Sequence, residues 1–226
     1  ILIERVGTNG DFNKAISVLK KLDGQVDAIG LGGADFGLEA NGKYYPIHSI
    51  SVLKNITKLT PLTDGLGIKF TLESNIASFI EKNIPEWLSK NERKVLLVNS
   101  VSRWGMAKSF IDAEYKCIYG DFMFSLGLNI PVYSKQLIIT ATRLFCPLVT
   151  RLPFSYLYPV GQNEEKHINK FEKYYHDVSV IAGDCLYVMQ SLPEHIEGKT
   201  IVTNTTTESD RKKLFNAGVE NIITTT

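Results

Sequence analysis

The stretch from Lys94 to Gly120 constrains the fold most. Lys94 to Asn99 reads as a strand with an apolar run, Gly105 to Ala113 as a helix, and Lys116 to Gly120 as a second strand. A strand, a tight turn, a helix and another strand form a βαβ unit, whose crossover makes its two strands parallel. Val178 to Ala182, Thr200 to Thr203 and Asn221 to Thr224 add three more strand-like runs, with helical stretches between them. Continuous apolar strands alternating with helices predict an α/β fold, with a mostly parallel sheet covered on both faces. The last helix carries a capping box at Thr207 to Asp210 and ends at Gly218.

The region before residue 89 reads as a smaller α/β domain, residues 1–88, ahead of a Rossmann-like domain, residues 89–226. Ile1 to Val6 is strand-like. Asp11 caps a helix with Phe12, Ala15, Ile16, Leu19 and Leu22 on one face, and Gly24 ends it. Val26 to Gly30 is a second strand. Asn41-Gly42 predicts a hairpin over 37–46, because both turn positions want positive φ. A short helix follows over 49–58. A longer one carries Leu72, Ile76, Phe79, Ile80 and Ile84. Pro85 to Arg93 reads as a polar turn anchored by Trp87 and Leu88. The first residues and the last, Asn221 to Thr226, both read as strands, so both ends are expected to be truncated.

With 25 basic and 24 acidic residues, the chain has no electrostatic reason to seek nucleic acid or an anionic membrane. Leu137 to Pro159 is rich in Leu, Ile, Phe and Tyr, but Arg143, Pro147, Arg151 and Pro153 interrupt it. It reads as a packed helix pair or a homo-oligomer interface rather than a span. Cys117, Cys146 and Cys185 are odd in number and far apart, which predicts neither disulfide nor metal site. Buried thiols suit a cytoplasmic protein.

The turn Ser100-Val101-Ser102-Arg103-Trp104-Gly105 aligns with G-x-G-x-x-G as S-x-S-x-x-G. In that motif the helix N-terminus holds a pyrophosphate, and a carboxylate about 20 residues on takes the adenosine ribose. Asp121 stands at that distance. It favours NAD over NADP, unless Arg103 reaches a 2′-phosphate. Candidate cofactor residues are therefore Ser100, Ser102, Arg103, Gly105 and Asp121, joined by Asp184, Thr203 and Asn204 at the ends of later strands. Ordinary helix capping is the competing role for those last three. Gly30 to Gly33 forms a rival glycine turn. No helix directly follows it, so it is read as lining a cleft, with Gly32, Gly33 and Thr63 touching substrate.

Thr63-Asp64-Gly65-Leu66-Gly67, followed by a helix and a nucleotide turn about 30 residues on, resembles the shikimate/quinate dehydrogenase family. The chain as a whole is similar to a bacterial group called quinate 5-dehydrogenases. The resemblance implies an NAD(P)-dependent oxidoreductase acting on a hydroxyl of a small polar or alicyclic acid, with Asp64 as catalytic carboxylate. The family's N-V-T-x-P-x-K segment, which supplies its lysine, does not occur here. Lys69 is the substitute, ahead of Lys43, Lys54, Lys58 and His48. Two other readings stay open: a nucleotide- or ligand-binding protein without turnover, and an S-adenosylmethionine-dependent transferase.

Overall fold

The computed structural model describes residues 1–153 and 170–225. The chain is α/β, and its centre is a five-stranded parallel sheet. In chain order the elements before the sheet are α1 (Phe12–Leu22), β1 (Ile29–Gly30), β2 (Gly37–Ala40), β3 (Lys43–Pro46), α2 (His48–Ser51), β4 (Leu62–Thr63), α3 (Leu66–Glu73), α4 (Ile76–Asn83) and α5 (Pro85–Lys90). Then come β5 (Lys94–Leu97), α6 (Trp104–Asp112), β6 (Lys116–Tyr119), α7 (Asp121–Phe124), α8 (Lys135–Val149), α9 (Glu172–His176), β7 (Val180–Ala182), α10 (Cys185–Gln190), β8 (Thr200–Thr203), α11 (Glu208–Asn216) and β9 (Asn221–Thr224).

The sheet order is β6-β5-β7-β8-β9, with every pair parallel. Counting these strands one to five, the order is 2-1-3-4-5. The direction of winding therefore reverses between β5 and β7, and in open α/β sheets that reversal opens a crevice at the carboxyl ends of the strands. Alternate strand residues feed two separate cores. Val95, Leu97, Val180, Ala182 and Val202 pack beneath α4, α5, α6 and α8. Leu96, Ile118, Ile181 and Ile201 pack against Tyr174, Tyr175, Val188 and Leu214 on the other face. This two-sided burial is why the strands are apolar at every position. Thr207 and Asp210 make the reciprocal capping box, and Gly218 turns at φ 87°.

The first 63 residues form a small module. Asp11 caps α1 by accepting from Lys14 N at 3.0 Å. β2 and β3 form the expected hairpin, with Asn41 at φ 51° and Gly42 at φ 71°. β1 and β4 make a two-stranded parallel sheet, Ile29 opposite Leu62 and Gly30 opposite Thr63. This pairing is invisible in the sequence, because two-residue strands leave no alternation to read.

Several expectations are corrected. Ile1 to Val6 belongs to no strand and lies exposed. The strand expected from Val26 is only Ile29–Gly30. The helix expected over 49–58 is α2 followed by a 3-10 turn over Val52–Asn55. The long helix expected after Gly67 breaks at Ser74-Asn75 into α3 and α4. The break turns Leu72 and Phe79 to solvent while Ile76 and Ile80 stay buried. Pro85 to Lys90 is helical, with Pro85 in the first turn where its missing N–H costs nothing. Buried Trp87 donates from Nε1 to Gly198 O at 3.0 Å and so ties α5 to the loop that leads into β8. Within the expected interface over 137–159, α8 exposes Leu137, Leu144 and Leu148, and residues from 154 on lie outside the described ones. No helix among the described residues is long and apolar enough to cross a membrane.

Candidate functional site

The carboxyl ends of β5, β6, β7 and β8 are linked by polar side chains. After β6, Asp121 points back to the turn that follows β5. Its Oδ2 accepts from Ser100 Oγ at 2.5 Å, and its Oδ1 accepts from Val101 N at 2.8 Å. Burial pushes the Asp121 carboxyl above its ordinary value, and the two hydrogen bonds offset that only in part. The first serine of the degenerate motif thus holds the carboxylate that the spacing assigned to the ribose.

Asn99, almost fully buried, bridges the reversal point. Its Oδ1 accepts from Asp184 N at 2.9 Å, and its Nδ2 donates to Ser102 Oγ at 3.0 Å. A Cβ on Gly183 would come within 2.7 Å of Asn99 Oδ1 and 2.9 Å of Val98 Cβ. Gly183 is therefore the residue that lets Asn99 lie across β7. Asp184 caps α10 by accepting from Leu186 N at 3.1 Å and also accepts from Asn204 Nδ2 at 3.1 Å. Asn204 in turn accepts from Cys185 N at 2.9 Å and from the Thr203 hydroxyl at 3.1 Å. The capping role and the strand-end position coexist at Asp184.

Arg103 ends the turn and sits 11% exposed between two acids. One guanidinium nitrogen donates to Glu73 at 2.7 Å and another to Asp184. Burial opposes its charge, but Asp184 and Glu73 outweigh burial and hold the pKa above its ordinary value. Arg103 is therefore committed to carboxylates. α6 begins at Trp104 with no side-chain cap on its N-terminus. Gly105 does not serve the strand-to-helix contact expected of the motif's third glycine. A Cβ there would meet Phe70 O at 2.9 Å and Glu73 Cβ at 3.1 Å, so α3 presses on α6.

α3 carries the second group of candidates. Asp64 precedes it and engages both oxygens with backbone: Oδ2 accepts from Phe36 N at 2.8 Å, Oδ1 from Leu66 N at 3.2 Å. Lys69 pairs with Asp35 at 2.7 Å, both side chains less than one-fifth exposed. One turn further along, Glu73 meets Arg103. One short helix thus connects a Lys-Asp pair with the strand-end network. Gly32 and Gly33 have open space where a side chain would stand, and their loop is tied to β4 through Leu31 N and Thr63 O at 2.7 Å. Of the alternative bases, Lys54 shares a cleft wall with Asp64. Lys43 and Lys54 lie over aromatic rings, and His48 opens α2 with its N–H on Thr150 O.

Residues 67–226 match the model of a family described as a domain of unknown function (DUF8754). The chain belongs to the DUF8754 family. Residues 1–64 match a second model with the same kind of description, DUF8753. No curated protein and no solved structure matches the chain. The DUF8754 portion contains the whole strand-end network together with α3, while Asp35, Asp64 and the glycine loop lie in the DUF8753 portion.

The sequence reading missed Asn99, Glu73, Asp35 and Tyr187. Burial, followed by the charges of Asp184 and Asp121, pushes the Tyr187 phenol up to about 12. Position alone could have pointed to Asn99, since it follows the first strand of the sheet at the reversal point. Nothing local marks the other three.

Proposed function

We propose that the DUF8754 portion is a Rossmann-type domain that takes an adenosine dinucleotide at the crevice between β5 and β7. The protein uses it as an oxidoreductase on a small polar acid. One observation carries the reading: the carboxylate of Asp121, at the end of the strand after α6, lies against the Ser100-Val101 turn. An adenosine ribose placed there exchanges Asp121's two internal hydrogen bonds for its own hydroxyls. The uncapped start of α6 supplies N–H groups for the pyrophosphate. Arg103, the guanidinium of the turn itself, is committed to Glu73 and Asp184 rather than to a 2′-phosphate, which favours NAD over NADP.

The bound nicotinamide supplies the hydride. The chain's own part is the proton and the orientation. Lys69, held by Asp35 at 2.7 Å, is the group that would exchange the proton with the substrate oxygen, giving it in carbonyl reduction and taking it in alcohol oxidation. Asp64 is a positioning residue here: it fixes the Phe36 backbone, and thereby Asp35, beside the glycine loop.

A second reading, ligand binding without turnover, is favoured by the same Asp64. A carboxylate with both oxygens on backbone N–H groups has less to offer a substrate. Calorimetry with NAD, NADP and S-adenosylmethionine, followed by NADH oxidation against a panel of oxo acids, separates the readings. NAD binding with turnover supports the first. NAD binding with no turnover supports the second. Preference for S-adenosylmethionine overturns both.

A further inference from the structure

The amino-terminal module has its own cleft, of about 430 Å³, lined by Phe36, Lys54, Thr57, Pro61, Thr63 and Asp64 among others. That volume lies in the range of small-molecule sites. Lys54 is fixed there by aromatic groups. Its Nζ stands 4.8 Å from the Phe36 ring centre and 5.2 Å from that of Tyr44, and donates to Tyr44 Oη at 3.1 Å. None of the ion pairs among the described residues involves Lys54. An ammonium held in place at a cleft wall with no ion-pair partner among the described residues is a receptor for an anion. Thr63 Oγ1 accepts from Gly65 N at 3.3 Å and keeps its own O–H to donate. Thr57 adds a second hydroxyl to the same wall.

The geometry points to a site for the carboxylate group of a small polar molecule, bound by Lys54 with Thr57 and Thr63. Asp64 on the same wall decides between anions. Its charge repels a dianionic phosphate more than a monoanionic carboxylate, and a single lysine neutralises only the latter. The inference rests on the oxidoreductase reading for what the acid is used for, but the binding itself needs no nucleotide.

The test is calorimetry on the nucleotide-free full chain with lactate, quinate and benzoate as monocarboxylate probes and inorganic phosphate as the comparison. At least one carboxylate binds the wild type in the millimolar range or tighter. Lys54→Met weakens it by roughly tenfold or more and Lys54→Arg largely restores it, as removal and return of a charge-assisted hydrogen bond require. Thr57→Val weakens it less, and NAD affinity is unchanged in all three variants. Silence from every carboxylate, tighter binding of phosphate, or full binding by a folded Lys54→Met protein each overturns the assignment. Loss of NAD binding by the wild type would instead strike the oxidoreductase reading and leave this site standing.

Discussion

Ser100 Oγ donates to Asp121 Oδ2 at 2.5 Å, joining the first residue of the turn to the end of the neighbouring strand. A glycine at position 100 could not make this bond. The serine that weakens the glycine motif therefore secures the carboxylate on which the cofactor assignment depends.

Asp121→Asn tests that carboxylate twice. The folded-state pKa of Asp121 is raised by burial. Its contribution to stability is therefore complete below the unfolded value near 4 and is lost as pH rises through the folded value. The stability of Asp121→Asn relative to wild type should rise with pH across that window, by urea denaturation at several pH values. Asp23 provides the opposite sign. The backbone N–H groups of Lys58, Thr60 and Leu59 hold its carboxyl below the ordinary value, so its contribution is present above the unfolded value and lost as pH falls. The same Asp121 variant should bind NAD roughly tenfold more weakly, as loss of a charged ribose acceptor implies.

Arg103→Met should be among the most damaging single changes, at about 3–5 kcal/mol by chemical denaturation. It leaves Glu73, 1% exposed, as a buried charge without its partner. Pairing Arg103→Met with Glu73→Gln should return part of the loss.

Lys69→Met should abolish turnover while leaving NAD affinity unchanged. Because both members of its pair with Asp35 are mostly buried, the variant should also lose some stability, and turnover is compared on protein shown to be folded by circular dichroism. Retained activity would rule Lys69 out as proton donor.

Gly105→Ala should cost about 1–3 kcal/mol through overpacking, because its methyl would meet the Phe70 carbonyl. Gly183→Ala should act through a different neighbour by displacing the Asn99 side chain.

The three thiols are buried, and burial pushes Cys117 and Cys146 up to about 11 and Cys185 up to about 12. Native protein should react slowly with a disulfide reagent at mildly alkaline pH, and all three thiols should react at once on denaturation.

The central sheet was legible because its strands are buried on both faces. Val95 to Val98 and Val180 to Ala182 are therefore apolar without interruption. The strand ends were legible as positions but not as a network. Asp121, Asp184 and Asn204 look like caps, and only the fold shows Ser100 joining Asp121 to the first turn, Asn99 and Arg103 joining that turn to Asp184, and Asp184 meeting Asn204. In the amino-terminal module, burial is thinner and strands span two residues. There the periodicity misled at Ile1 to Val6, and just beyond the module it merged α3 with α4, since Leu72 and Phe79 continue an apolar rhythm that solvent does not respect. Asp64 was legible as a motif residue and not as the partner of the Phe36 backbone, which is 28 positions away.

Where α3 meets α6, a carbonyl rests on a glycine with no side chain between them. Helices that slide past one another do so on a cushion of side chains able to change rotamer, and at Gly105 this contact has only the Phe70 backbone and the Glu73 Cβ, which has no rotamer to change. Any opening of the crevice must then be a hinge and not a shear. α3, α4 and α6 would travel together as one body, because Ala77 N of α4 also donates to the buried Ser109 Oγ of α6 at 2.8 Å.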